Sequence, residues 1–323
     1  MTATSPSLPP DGAPTPAPTP LPVLDDPTPP YEVAQVIAPG IRRIVARNPG
    51  PFTYTGTSTY LVGQGAVAVI DPGPDRPGHI ARIQAALAPG ERITHILVTH
   101  THDDHSPAAR PLAAATGARV YGYGPHGSGR HGGVDPSQAF EAADWAFEPD
   151  VRLDQGAAVD VGRRRLVAHH TPGHCSNHLC FADPSCGAVF TGDLVMSWSS
   201  SIVSPPDGDM AAYMQSLHKV KALSAKRLYP THGVPIDEPQ AFLDALIAHR
   251  KDREARVLAA VTAGAETLDA LVPQVYRDVP PAMHPAAARS LLAHLIKLVD
   301  ERRLVADPGP VADARFLPPD ANR

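Results

Sequence analysis

The sequence predicts an α/β chain followed by a small helical domain with a β-wing, and two observations carry that prediction. Through the first two thirds, short apolar runs end in turn residues and then in side chains able to bind a metal. After His232 the apolar residues recur instead at a helical period, with charges between them.

Taken in order, Val67-Ala68-Val69-Ile70 precedes Asp71-Pro72-Gly73. Ile93 to Val98 reads as a largely apolar strand of the kind buried in a sheet, and it runs into Thr99-His100-Thr101-His102-Asp103-Asp104-His105. Leu166-Val167-Ala168 leads into His169-His170-Thr171-Pro172-Gly173-His174. Ala188-Val189-Phe190 leads into Thr191-Gly192-Asp193, and Arg227-Leu228-Tyr229 into Pro230-Thr231-His232-Gly233. Gly or Pro supplies the sharp exit from the strand. His100, His102, Asp104 and His105 fall within six residues, and imidazoles with a carboxylate suit zinc or another first-row divalent metal.

On these motifs the chain resembles the metallo-β-lactamase superfamily of hydrolases over roughly residues 31–236. The resemblance implies a four-layer αββα sandwich with a two-metal site between its sheets. It implies that His100, His102 and His174 bind one metal, that Asp104, His105 and His232 bind a second, and that Asp193 bridges them. Asp71 would orient a ligand from behind; a cap on the turn before Pro72-Gly73 explains it equally. The expected cofactors are two divalent ions, zinc first and manganese or iron as alternatives. Metals of this kind share a hydroxide formed near neutral pH, since bound water can reach a pKa of about 7. Asp104 and Asp193 are the carboxylates expected to act in catalysis. A bridging Asp193 points away from β-lactam hydrolysis, because the true β-lactamases of the superfamily usually carry Cys or Ser there.

Beyond His232, Ile236–Ala263, Glu266–Tyr276 and His284–Arg303 read as helices, Leu304-Val305-Ala306 as a strand, and Asp307-Pro308-Gly309 as a turn. Three helices and a wing give a winged-helix-like domain over 237–310, with a tail at 311–323. Here the chain looks like the β-lactamase-like-2 group, which includes a mitochondrial endoribonuclease and many bacterial hydrolases. The matching segments are Asn48 to Thr53, Gly56 to Gly63, Thr171 to His174, Tyr229 to Gly233, His249-Arg250, Arg253-Glu254, Ala293-His294-Leu295 and Lys297-Leu298. Ser58 stands where the group usually has Asn, and Ser106-Pro107-Ala108-Ala109 where many relatives have Gly-Gly.

Composition bounds the rest. The formal charge of −5 and pI near 6.3 exclude a global polycation. No apolar run reaches transmembrane length, and no basic start with an apolar region opens the chain, so a cytoplasmic location without membrane contact is expected. Residues 1–30, dense in Pro, Thr and Ala, read as a disordered tail. Cys175, Cys180 and Cys186 read as free thiols. Among the remaining histidines, His178 is the one expected behind the metal ligands or in the substrate cleft; the others read as structural or surface. The Gly-rich stretch 122–133 reads as a loop at the site mouth, touching substrate through Arg130.

Three functions remain open at this stage. The first is a phosphodiesterase or endoribonuclease acting on single-stranded RNA, which the near-balanced charges of the C-terminal helices weaken. The second is a thioester or ester hydrolase of the glyoxalase II type acting on a small molecule, with the C-terminal domain as a lid or homodimer contact. The third is a non-catalytic winged-helix regulator with a relic metal site.

Overall fold

The computed structural model describes residues 20–25, 27–139 and 142–319. Residues 1–19 and 320–323, parts of the two expected tails, lie outside that span. One sheet is built from β1 (Gln35–Ala38), β2 (Ile41–Val45), β3 (Ser58–Gln64) and β4 (Ala66–Ile70). It continues, after helix α1 (Pro77–Ala85), with β5 (Arg92–Leu97) and, after α2 (Ala109–Thr116), with β6 (Arg119–Gly122) and β7 (Val151–Arg152). These seven strands are neighbours in chain order. A second sheet contains β8 (Ala158–Val161), β9 (Arg164–His170), β10 (Leu179–Asp183) and β11 (Ala188–Gly192), then α3 (Met210–Ala222) and β12 (Arg227–Pro230), in the spatial order β12-β11-β10-β9-β8.

Residue alternation sets the layers. Tyr60, Val62, Ala68 and Ile70 of the first sheet meet Leu166, Ala168, Leu179, Phe181 and Phe190 of the second. The intervening Leu61, Val67 and Val69 pack on Ile80 and Ile83 of α1 and Leu112 of α2. Cys180, Ala182 and Val189 turn the other way, toward Tyr213 and Leu217 of α3. The result is helix–sheet–sheet–helix. Each sheet is covered on both faces, which is why its strands read as apolar runs rather than as an alternating pattern. Tyr60 pins the two sheets together: its ring lies 5.2 Å from Phe190, and its hydroxyl donates to the Pro230 carbonyl at 2.5 Å.

Five strands aim their carboxyl ends at one edge. β4 and β5 are parallel, and so are β11 and β12, while β9 and β11 both run antiparallel to β10. The residues just past those ends are Asp71, the His100–His105 stretch, His174, Asp193 and His232.

The C-terminal domain comprises α4 (Pro239–Thr262), α5 (Leu268–Val275), α6 (His284–Asp300), β13 (Val305–Asp307) and β14 (Arg315–Leu317). α4 serves two cores. Its first half gives Phe242, Leu243 and Leu246 to the layer against the second sheet. Its second half gives Val257 and Val261 to a separate core with Leu271, Leu291, Leu295 and Leu298. The charges expected between its apolar positions are partly internal: Arg250, Arg253 and Arg256 are buried. Arg253 donates to Asp278 at 2.9 and 3.0 Å and to the Val275 carbonyl at 2.6 Å, and it lies 4.2 Å over the Tyr276 ring. Carbonyls and a carboxylate replace the water those guanidiniums lose.

Two segments expected in tails are ordered parts of the fold. Residues 315–317 form the second strand of the wing, paired Val305↔Leu317 and Ala306↔Phe316. The reason is Phe316, fully buried in the C-terminal core. At the other end, Leu21 and Leu24 pack against the second-sheet layer, and the Leu24 N–H donates to the Ser197 carbonyl at 2.8 Å. No helix among the described residues is long and apolar enough to cross a membrane.

Burial pushes His294 of α6 down to about 4, against the pull of the Glu254 carboxylate 3.8 Å away. An unfolded chain takes up that proton near pH 6.5. Stability is therefore complete above about 6.5 and declines as pH falls toward 4, by roughly 3 kcal/mol from this residue alone. Urea unfolding of the full chain followed between pH 7 and 4 should show the decline, and His294→Leu should make it shallower by the share of this residue. An unchanged acid slope in that variant would refute the assignment.

Candidate metal centre

Every side chain expected as a metal ligand reaches one place. Three groups, His100–His102–His174, His100–His105–Asp193 and Asp104–His105–His232, each bring ligand atoms within 4.8 Å of one another. His102 Nδ1 lies 3.1 Å from His100 Nε2 and 3.0 Å from His174 Nε2. On the other side, His105 Nε2 is 3.5 Å from both Asp104 Oδ1 and Asp193 Oδ1, and His232 Nε2 is 3.3 Å from Asp104 Oδ2. Asp193 Oδ2 stands between the halves, 3.4 Å from His232 Nε2 and 3.9 Å from His174 Nε2.

Hydrogen bonds from the far side of each ring decide which nitrogen faces the centre. His105 Nδ1 donates to Asp71 at 3.0 Å, His174 Nδ1 to the Ile202 carbonyl at 2.7 Å, and His232 Nδ1 to the Gly56 carbonyl at 3.2 Å. His100 Nδ1 donates to Thr99 Oγ1 at 3.0 Å. Each of these four rings is left with Nε2 pointing inward. Asp104 is held by the Thr57 hydroxyl at 2.6 Å, and Thr57 in turn accepts from Asn48 at 2.9 Å.

Asp71 is the centre of this scaffold. Its carboxylate accepts from the Thr99 N–H (2.8 Å), the Thr99 hydroxyl (2.7 Å), His105 (3.0 Å) and the Thr231 hydroxyl (3.1 Å). Its backbone is left-handed, φ 48°, a conformation that Asp adopts more readily than most residues. His178, one of the two residues expected near but outside the ligand set, is fully buried and does not line the cleft. Its Nδ1 donates to Thr171 at 2.9 Å, and its Nε2 accepts from the Asp193 N–H at 3.2 Å. Gly192 lets it come so close: at φ 51°, a Cβ there would lie 2.6 Å from His178 Nε2.

The charges are arranged for cations. Burial first, and neighbouring imidazoles next, hold His100 and His102 well below the ordinary histidine range, keeping them neutral with a free lone pair. His105 and His232 move the other way. Burial opposes the change, but Asp104 and Asp193 outweigh it, raising His105 well above its usual value and His232 to about 10. Burial would raise both carboxylates, yet the adjoining His105 and His232 hold Asp104 and Asp193 well below the usual range. His105 Nε2 and Asp193 Oδ1, 3.5 Å apart, are both buried with no hydrogen-bond partner among the described residues, which costs free energy while they stay so. Imidazole lone pairs, two carboxylates and orphaned buried donor atoms fit a pair of divalent cations.

The centre opens into a cleft of about 590 Å³. Phe52, Met196 and Ile202 supply its apolar wall, and Arg76 is the only Lys or Arg among the described residues lining it. Ser58 does not reach this cleft; it is fully buried, and its hydroxyl accepts from Arg43 at 2.9 Å. Arg130 of the Gly-rich loop binds the Pro206 carbonyl and lines a neighbouring groove beside α6. The basic run Arg163-Arg164-Arg165 sits at the opposite end of β9, roughly 20 Å away by strand length, with Arg164 paired to Asp183 and Arg165 to Asp160. Sequence reasoning missed Thr57, Asn48, Thr99 and Thr231. The signal for Thr99 and Thr231 was their place directly before a ligand at a strand end.

Comparison with known proteins finds relatives for both parts of the chain. Residues 53–232 match the metallo-beta-lactamase superfamily, and residues 267–309 match the beta-lactamase associated winged helix domain. The chain is 30% identical over 235 residues to the atrochrysone carboxyl ACP thioesterase dmxR1 of Cryptosporiopsis sp., covering 72% of this chain and 66% of that protein. It is 31% identical to the beta-lactamase-like protein 2 homolog of Caenorhabditis elegans, over 83% and 86% of the two chains. In structure it is similar to a beta-lactamase domain protein from Burkholderia ambifaria, with a TM-score of 0.74 at 22% identity over 91% and 95% of the chains.

Asp71→Asn keeps the shape and tolerates the left-handed backbone, but it removes the charge that aims His105. Zinc affinity, measured by competition with a chromophoric chelator, should fall roughly 10- to 100-fold. Unchanged affinity would refute the role given to Asp71.

Proposed function

We propose that this chain, which belongs to the metallo-β-lactamase superfamily and carries its associated winged helix domain, is a two-metal hydrolase of thioesters with an apolar or aromatic acyl group. His100, His102 and His174 would hold one cation, Asp104, His105 and His232 the second, with Asp193 shared between them. Zinc, manganese and iron all suit this donor set. Such a pair supplies Lewis acidity and makes water acidic enough to attack near neutral pH.

The observation that carries the substrate class is the lining of the cleft. Three aspartates (Asp103, Asp104 and Asp193), a single arginine and the apolar side chains of Phe52, Met196 and Ile202 make a poor track for a polyphosphate strand, which needs clustered Lys and Arg. The same lining suits a neutral acyl chain. Asp104, fixed by Thr57, faces the cleft and orients the attacking water as a hydrogen-bond acceptor. Water adds to the acyl carbon and loses its protons to solvent as the carboxylate product forms, the C–S bond breaks, and the sulfur leaves as a thiolate that takes a proton from solvent. An alkanethiol is acidic enough, with a pKa of about 8.5 for a cysteine-like thiol, to depart without an acid from the protein. A thioesterase among the relatives supports the same reading.

Zinc- or manganese-loaded protein should release thiol from a benzoyl thioester of coenzyme A, and Asp193→Ala should abolish the release while weakening metal binding. Phe52→Ala should raise KM roughly fivefold with kcat nearly unchanged, since it removes an aromatic contact to the acyl group worth about 1 kcal/mol. Cleavage of single-stranded RNA that disappears in Asp193→Ala, without thiol release, would replace this function with phosphodiester hydrolysis.

A further inference from the structure

We infer that the winged helix domain positions the metal ligands His174 and Asp193, by gripping the segment Ser201–Pro206 that supports both. One side of this segment faces the centre. The Ile202 carbonyl accepts from His174 Nδ1 at 2.7 Å, and the Ser201 hydroxyl donates to the Asp193 and Leu194 carbonyls. The other side is held by the C-terminal domain. Arg250 of α4 donates to the Ser201 carbonyl, and the Ser290 hydroxyl of α6 accepts from the Val203 N–H at 3.1 Å. Arg289, one residue earlier on α6, donates to Ser204 Oγ at 3.0 Å and to the Pro205 carbonyl.

The grip is internal. Ser201, Val203, Ser204, Arg250 and Ser290 are all buried, so no water stands ready to replace a lost partner. Arg250 lies 5.0 Å over the Tyr213 ring, and the Tyr213 hydroxyl donates to the Leu194 carbonyl at 2.9 Å, closing the network around Asp193. Residues 201–206 belong to no helix or strand and have no ladder to set their path. The carbonyl that aims His174 is therefore placed by contacts from α4 and α6. Arg250, Arg289 and Ser290 are positioning residues that act on the ligands through two intervening backbone groups.

The inference rests on the assignment of the metal ligands and is independent of the substrate. Its test uses the full chain and reads metal binding: zinc affinity by chelator competition and the visible absorption of the cobalt(II) form. Ser290→Ala and Arg250→Met should each weaken zinc roughly tenfold and change the cobalt spectrum, and Ser290→Thr, which keeps the hydroxyl, should restore both. Phe316→Leu, which loosens the C-terminal core without touching residues 201–206, should lower the melting temperature and leave affinity and spectrum as in the wild type. Wild-type affinity and spectrum in a folded Ser290→Ala would overturn the inference, as would an equal change in Phe316→Leu. Should Arg250→Met fail to fold, the single hydroxyl removed in Ser290→Ala still decides the matter. A wild-type chain that binds neither metal would instead bring down the ligand assignment, and this inference with it.

Discussion

One buried carboxylate, that of Asp71, holds the edge of the sandwich in register. It sits at the end of β4 and draws on the ends of β5 and β12 through Thr99 and Thr231, while its remaining capacity fixes the His105 ring. Strand ends that meet at an open edge have backbone groups with no ladder partners. Here a charged acceptor takes one of them, the Thr99 N–H, together with two threonine hydroxyls and an imidazole. The same act that closes the sandwich orients a candidate metal ligand, so folding and site assembly share one set of bonds.

Electrostatics completes what geometry begins. Two carboxylates close to two buried imidazoles draw positive charge onto His105 and His232, whereas His100 and His102 are kept neutral by their depth and by each other. The centre thus has a carboxylate-rich half and an imidazole-rich half, with Asp193 on the seam. The carboxylate-rich half is left short of partners by the protein alone, as the orphaned atoms His105 Nε2 and Asp193 Oδ1 make plain.

The strand ends and the ligand-type side chains that follow them were legible in the sequence because short-range rules govern them, and the layered sandwich and the full ligand set were implied by the resemblance those motifs carry. A strand that ends in Gly or Pro must expose its next side chains at the sheet edge, and His-x-His-x-Asp-His is compact enough to recognise. The groups that aim those ligands were not legible, since several are main-chain carbonyls, such as those of Ile202 and Gly56, which carry no sequence signature. The burial of Arg250, Arg253 and Arg256 was not legible, because nothing local reveals that Ser201, Val275 and Asp278 will meet them. Phe316, an isolated aromatic beyond a Pro-Gly turn, looked like tail until β13 gave its strand a partner. His178 was expected near the ligands, but only the structure shows that it reaches Asp193 through the backbone N–H and stays out of the cleft.

α4 runs through both hydrophobic cores as a single continuous helix of 24 residues. A helix melts from its ends far more readily than from its middle, and the middle here is anchored by buried guanidiniums. The two cores therefore lack the exposed, contact-poor linker at which independent domains part. The shared helix is expected to make them unfold together, in a single transition.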